Sequence, residues 1–182
     1  MGACRSRARV IAINDAYLLA PWADVLYFCD CRWFEWHAER PEFQAFKGLK
    51  VTLDEEVPKR HPDIKGVRNT GRDGLEMAPT GIRTGRNGGY QAINLAVHLG
   101  AARIVLLGYD MKPAADGRTH WHGGHPVPLK ETVFQRAMLP CFATLVRPLQ
   151  ELGVEVINAT PDSALTTFPK RRLEDALLIP DL

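Results

Sequence analysis

The sequence predicts an α/β fold: a single three-layer α/β/α domain around a mostly parallel sheet. Three observations predict it. Short apolar runs at 9–13, 24–29, 103–108 and 154–157 read as strands, and helical stretches separate them. The run Arg103-Ile-Val-Leu-Leu-Gly108 has no polar alternation, as expected of a strand covered on both faces. Polar residues recur just past the strand ends, at Asn14, Asp30, Asp110 and Asn158. In open α/β sheets ligands sit beyond the carboxyl ends of the strands, so this recurrence points to a shared crevice. Asn and Asp are also helix caps and turn formers, and that role alone would account for about half of them.

Taken in order, 9–13 is the first strand and 24–29 the second, with at most a short helix between them because Pro21 interrupts the segment. Residues 31–40 are helical in tone, with Trp33, Phe34 and Trp36 reading as packing residues, and 41–48 adds a turn or two. Residues 50–53 form a third strand, and 54–64, with two prolines, reads as a loop. The segment 66–84 is glycine-rich and charged, an irregular excursion with a weak edge strand at 66–69. A second polar excursion covers 112–128. Residues 130–152 form a long amphipathic helix with Phe134, Met138, Phe142, Leu145, Leu149 and Leu152 on one side. Pro140 and Pro148 should kink or divide it, and Gly153 stops it. The strand at 154–157 and a short helix at 171–178 close the chain.

At 182 residues the chain suits one domain with a sizeable core. Apolar content of 46% and charged content of 24% are ordinary for a globular protein, and a formal charge of +2 gives no reason to invoke nucleic acid. No run approaches membrane-spanning length and no signal-peptide core follows the N-terminal arginines. Cys29-x-Cys31 lacks zinc-knuckle or thioredoxin spacing, so reduced thiols in a cytoplasmic protein are expected.

The segment 86–110 carries the strongest functional signal. Asn87 is an N-cap, and Gly88 and Gly89 let a ligand approach the backbone. Ala92, Leu95, Ala96 and Leu99 form one helical stripe, which Ile93 and Val97 widen until the helix is apolar almost all round; Gly100 is its C′ stop. The strand that follows delivers Gly108, Tyr109 and Asp110 to the crevice, where free N–H groups of the 88–91 turn can meet an anion.

The run Asn87-Gly-Gly-Tyr-Gln-Ala-Ile-Asn-Leu-Ala-Val-His-Leu-Gly-Ala-Ala-Arg-Ile-Val-Leu-Leu-Gly-Tyr-Asp-Met111 resembles the central segment of bacterial lipooligosaccharide sialyltransferases. It also resembles their relatives among archaeal hydroxymethylpterin diphosphokinases and small phage or prophage proteins. Val10-Ile-Ala-Ile-Asn14, Asp24-Val-Leu-Tyr-Phe-Cys-Asp30 and Glu151-Leu-Gly-Val-Glu-Val-Ile-Asn158 extend the likeness over roughly three quarters of the chain. The resemblance implies one Rossmann-like nucleotide-binding domain over 1–182. It implies a nucleotide-sugar-dependent glycosyltransferase, with a CMP-sugar as the expected co-substrate and a small molecule or glycan as acceptor. A metal is not expected. Asn14, Asp30, Asn87, Gly88 and Gly89 would meet the nucleotide, and Gly108, Tyr109 and Asp110 would wall the donor sugar. A diphosphokinase acting on a pterin-type alcohol, and a binder of nucleotides or nucleotide-sugars that performs no chemistry, are the alternatives. A homo-oligomer is compatible with all three.

Two departures stand out. Family members open with a strand and a Gly-rich loop ahead of the strand equivalent to 9–13, and this chain is expected to lack them. Sialyltransferases place tyrosine hydroxyls at the leaving group. Here Met111 and Lys112 follow Asp110, so Lys112 or Arg118 is expected to stabilise the departing phosphate by charge.

Thr119-His-Trp-His-Gly-Gly-His125 is the second candidate. One histidine could deprotonate an acceptor hydroxyl, since imidazole titrates near neutrality. His120, His122 and His125 could instead chelate a transition metal, or the loop could be polar and solvated with Trp121 pinning it. Pro126 holds His125 extended, which favours His125 as the base, with His122 next. His98 reads as a satisfied boundary residue, and His37 and His61 carry no partner signal.

Overall fold

The computed structural model describes residues 2–117 and 131–178. Strands β1 (Ile11–Ile13), β2 (Val25–Phe28), β3 (Leu49–Thr52) and β4 (Ile64–Gly66) form a four-stranded sheet in that order, every pair parallel. The period of two sorts the side chains. Leu26 and Phe28 join Ala12 on one face, under Tyr17 of α1 (Ala16–Leu19), Trp33 and Phe34 of α2 (Cys31–His37), Phe43 of α3 (Pro41–Ala45) and Val57 of α4 (Val57–Arg60). Val25 and Tyr27 join Val51 on the other face, with Leu95 of α5 (Gly88–His98). Both faces of β2 are covered, so all four of its residues are buried and none is charged.

Capping sets the helix bounds. Asp30 opens α2 by accepting the Arg32 N–H at 2.9 Å. Asn87, extended at φ −150°, opens α5 by accepting the Tyr90 N–H at 3.1 Å. At the far end of α5, Gly100 takes φ +83°; its N–H bonds the Val97 carbonyl and the Ala101 N–H bonds Ala96. That is a Schellman motif, and the expected C′ stop. Gly153 ends α7 (Leu139–Glu151) in the same way, with φ +67° and bonds from residues 153 and 154 to Gln150 and Leu149.

Strands β7 (Arg103–Leu106) and β8 (Glu155–Asn158) pair in parallel, Leu106 opposite Asn158. The sequence places these runs in one sheet with 9–13 and 24–29. The structure instead makes them a separate two-stranded ladder. Helix α5 is what joins the two. Its Leu95 packs against the β1–β3 side, while Tyr90 and Ile93 pack with Leu106, Phe142 and Leu145. Residues 90–96 are all buried, as the nearly all-round apolar pattern requires.

Several elements differ from expectation. The expected loop at 54–64 contains α4 and delivers β4, because Asp54 accepts the N–H groups of Glu56 and Val57 and starts a turn. The weak edge strand expected at 66–69 is divided: β4 pairs with β3, and β5 (Arg68–Asn69) pairs with β6 (Gly81–Ile82). The helix expected over 130–152 is divided ahead of Pro140 into α6 (Glu131–Val133), a π-helical segment Phe134–Met138, and α7. Proline has no N–H to return to the carbonyl four residues back, so the ladder slips to wider turns there. Pro148 remains inside α7. Leu99 and Leu152, assigned to apolar stripes, are exposed because each sits at a C-cap, where the chain turns away from its core. Trp36 is exposed as well. The last helix, α8, is only Leu173–Ala176. Among the described residues no helix is long and apolar enough to cross a membrane.

The irregular segment before α5 is stitched to it by three residues one turn apart. The Tyr90 hydroxyl donates to Gly74 O at 2.8 Å. Asn94, fully buried, accepts from the N–H groups of Glu76 and Arg83 at 2.9 and 3.1 Å and donates to Glu76 O at 3.0 Å. His98 donates to Gly81 O at 2.8 Å, the satisfied boundary role expected of it. Replacing Asn94 with Leu keeps the volume and strands three backbone groups. It is expected to cost roughly 3 kcal/mol or more in denaturant unfolding. Limited proteolysis should then cut first within 70–84.

Asp24 pins the start of β1, accepting from Arg9 Nη1 at 2.6 Å and the Val10 N–H at 2.8 Å. Burial pushes its carboxyl up, but the Arg9 and Val10 bonds together outweigh this and hold it below the usual carboxylate range. A depressed folded-state carboxyl adds stability that is present above the unfolded pKa of about 4 and is lost as pH falls through the folded value. Asp24→Asn should therefore lower stability at neutral pH by about 1 kcal/mol. It should also flatten the decline below about pH 4 seen in pH-dependent melting.

Candidate functional site

The N-terminus of α5 is seated between the end of β1 and the turn after β7. A β-carbon on Gly88 would stand 3.4 Å from Ile13 Cγ2. One on Gly89 would stand 2.5 Å from the Tyr109 ring and 2.9 Å from Asn87 Oδ1. At 89 only glycine allows so close an approach, whereas at 88 a β-carbon would make an ordinary contact. The Tyr109 hydroxyl donates to Gly89 O at 2.9 Å and locks the seat, and burial holds that phenol well above its ordinary range. The N–H groups of Gly88 and Gly89, ahead of the first helical turn, have no acceptor among the described residues.

Asn14 follows β1 with φ +49°, its N–H bonded to Tyr27 O at 2.9 Å. Its side chain has no hydrogen-bond partner among the described residues. The β1–β2 register sets Ile13 opposite Tyr27, so Asp30 lies at the same sheet edge, two residues beyond the level of Asn14. Gly108 and Asp110 are exposed beyond β7. The Asp110 carbonyl accepts the Ala164 N–H at 2.8 Å, and its carboxylate has no partner among the described residues. Contact thus brings together the β1 end, Gly88, Gly89 and Tyr109. Asp30 and Asp110 share the carboxyl edges of their strands without touching that group.

Several candidates carry structural duties. Asp30 is a helix cap. Asn87 Oδ1 is spent on its own cap, and its amide lies 3.4 Å from Met138 Sδ and 3.9 Å from Met111 Sδ. Asn158 is fully buried, bonding Leu165 O and the Thr160 N–H. Lys112 pairs with Asp162 at 2.7 Å on the surface. Arg118, His120, His122 and His125 lie outside the described residues. Among the described residues no group of three or more His, Cys, Asp or Glu is placed to hold a metal ion. All four cysteines are free thiols. Cys29 is pushed up to about 11, first by burial and then by Asp30, so it is no ready nucleophile at neutral pH.

Two features escaped the sequence. Behind Asn14, Asp15 accepts from Trp33 Nε1 at 2.6 Å and lies 3.5 Å from His37 Nε2, whose Nδ1 is 2.9 Å from the Tyr17 hydroxyl. All four residues are buried, and burial pushes Tyr17 up to about 12. Nothing in the spacing of 15, 17, 33 and 37 announces this cluster. Beside the start of α5 there is also a cavity of about 250 Å³ that Arg72, Arg86 and Arg136 line. Arg86 directly precedes the cap, a position that could have drawn attention. Arg136 reaches the cavity from the π segment, which no helical periodicity predicts.

Compared with protein-family models, curated proteins and solved structures, the chain matches none of them.

Gly89→Ala tests the seat. The added methyl meets an aromatic ring and a cap oxygen, so it should cost about 1–3 kcal/mol in unfolding. Tyr109 should shift with it, read as a change in near-ultraviolet circular dichroism. Gly2→Ala, at a position with open space around it and no left-handed backbone, should show no such spectral change.

Proposed function

We propose that the chain is a nucleotide-sugar-dependent glycosyltransferase of the sialyltransferase-like superfamily, built as a Rossmann-like three-layer domain. The observation that carries this reading is the α5 seat. A glycine pair whose N–H groups have no acceptor among the described residues lies beside the carboxyl ends of β1 and β7, where an α/β domain takes the phosphates of a nucleotide. Asn14 and Asp110, whose side chains have no partner among the described residues, would present them to the sugar moieties, and Asp30 would border the same edge.

In the proposed reaction a histidine from 120–125 takes the acceptor hydroxyl's proton. The acceptor oxygen then bonds to the anomeric carbon of the donor as that carbon's bond to the nucleotide phosphate breaks. The nucleotide monophosphate leaves with the bond's electron pair, toward the Gly88 and Gly89 N–H groups. Lys112 stands close in sequence and, being exposed, can exchange Asp162 for the phosphate at little cost.

One observation favours a binder without chemistry. The Tyr109 hydroxyl is committed to Gly89 O, so it is not held ready for a leaving group. The two readings part in a direct test. Both expect CMP, or another of UDP, GDP, ADP and ATP, to raise the melting temperature, because a ligand that binds only the native state stabilises it. Only the transferase releases nucleotide from a CMP-sugar in the presence of an acceptor. In that case one of His120→Ala, His122→Ala and His125→Ala should lose turnover roughly a hundredfold while keeping nucleotide affinity. Activity should rise with pH through that histidine's titration and survive a chelator. Loss of activity on chelation would favour the metal-binding reading of the loop, and no melting shift with any nucleotide would remove both functions.

A further inference from the structure

Three segments far apart in sequence line the cavity beside α5. Arg72 and Asp73 come from the excursion, Arg86 from the turn before the cap, and Arg136, Cys141 and Thr144 from the π segment and α7. Asp73 is the only carboxylate among these lining residues, and Arg72 already grips it with bonds of 2.7–3.0 Å. Arg86 and Arg136 make no side-chain hydrogen bond or ion pair of their own among the described residues, and both are exposed. Three guanidiniums thus share one recess with a single carboxylate. Arg86 also feels that carboxylate. The Asp73 carboxyl is held below its usual range first by Arg72, with the Cys141 thiol and the Arg86 charge adding to it.

The recess is built rather than incidental. Thr144 Oγ1 accepts the Gly74 N–H at 3.0 Å and lies 2.9 Å from the Tyr90 hydroxyl, so the floor of α7 is tied to both the excursion and α5. Arg86 holds a left-handed φ of +57°, unfavourable by about 1–2 kcal/mol for a residue with a β-carbon. Arg136 stands on the π-helical turns ahead of Pro140, and such turns are frequent at functional sites. The volume of about 250 Å³ is roughly eight times the share of one liquid water, room for a polyatomic anion. A carboxylate offers two coplanar oxygens, enough for one guanidinium fork. Arginines arriving from separate segments suit the tetrahedral oxygens of a phosphoryl group better.

We infer that the Arg72–Arg86–Arg136 cavity is a binding subsite for a phosphoryl group, carried either by a nucleotide or by free phosphate. Only the nucleotide source rests on the function proposed above; the subsite itself does not. The test is calorimetric titration of the full chain with inorganic phosphate and pyrophosphate, then with cytidine, CMP and CDP. Arg86→Gln and Arg136→Gln are compared with Arg147→Gln, whose arginine pairs with Glu151 away from the cavity. Both test arginines are exposed, and melting curves check that the variants fold. The expected result is saturable binding of phosphate or pyrophosphate that each test variant weakens at least tenfold and Arg147→Gln leaves unchanged. Phosphate binding with no tighter binding of CMP or CDP would uphold the subsite and defeat a cytidine nucleotide as the carrier of the phosphoryl group. CMP or CDP binding that both variants leave intact would defeat the subsite and spare the nucleotide reading. Absence of saturable binding of every phosphate tested would overturn the inference.

Discussion

The four-stranded sheet and the β7–β8 ladder are held in relation to one another by a helix that has no side chains where it begins. Gly88 and Gly89 let the first turn of α5 lie against Ile13 on one side and the Tyr109 ring on the other. Anything larger at 89 would push Tyr109 away and break its bond to Gly89 O. From that fixed start the helix axis is set. Its successive faces then meet β1–β3 through Leu95 and the β7–α7 layer through Tyr90 and Ile93. A steric constraint at one residue, Gly89, is thereby carried along a helix of eleven.

The same helix solves a second problem, which is how a glycine-rich excursion holds one conformation. Its backbone groups cannot all bond to each other, and burying them unpaired is costly. Tyr90, Asn94 and His98, spaced by four, give them partners along one stripe, while Gln91 accepts from the Tyr27 hydroxyl at 2.9 Å and donates to Thr84 O at 3.1 Å. The excursion is therefore ordered by polar side chains of a buried helix rather than by an apolar core of its own. Arg72, Arg86 and Asp73 gain their places from this arrangement.

What could be read from the sequence follows from how local each signal is. The caps at Asp30 and Asn87, the stops at Gly100 and Gly153, and the break near Pro140 depend on a few adjacent residues, and the structure shows all of them. The strands β1, β2, β7 and β8 were legible because unbroken apolar runs between turn residues have few other uses. Strand β4 was not, since Ile64 alone carries its apolar signal and its pairing comes from β3. The separation of β7–β8 from the four-stranded sheet was equally invisible, because no local pattern states which parallel strands will hydrogen-bond. The Asp15–His37–Tyr17 cluster was missed for the same reason: it joins β1's end to two helices through contacts, not spacing.

The four polar residues past the strand ends show how physical duty sorts a sequence pattern. Asn158 is consumed by the turn after β8, and Asp30 by the cap of α2. Asn14 and Asp110 are left, with side chains that no described residue occupies. Each also lies beside strained backbone. Asn14 itself is left-handed, and Met111, next to Asp110, takes φ +55° although it carries a buried side chain. Strain of this kind, about 1–3 kcal/mol at Met111 and less at Asn14 because Asn tolerates the left-handed region, persists only where surrounding structure enforces it. Here the enforcers are the Tyr27 carbonyl on one side and Met138 and Phe134 of the core on the other. Under the function proposed above, these two side chains and the bare helix start at the same strand edges would meet the polar and the anionic parts of one ligand.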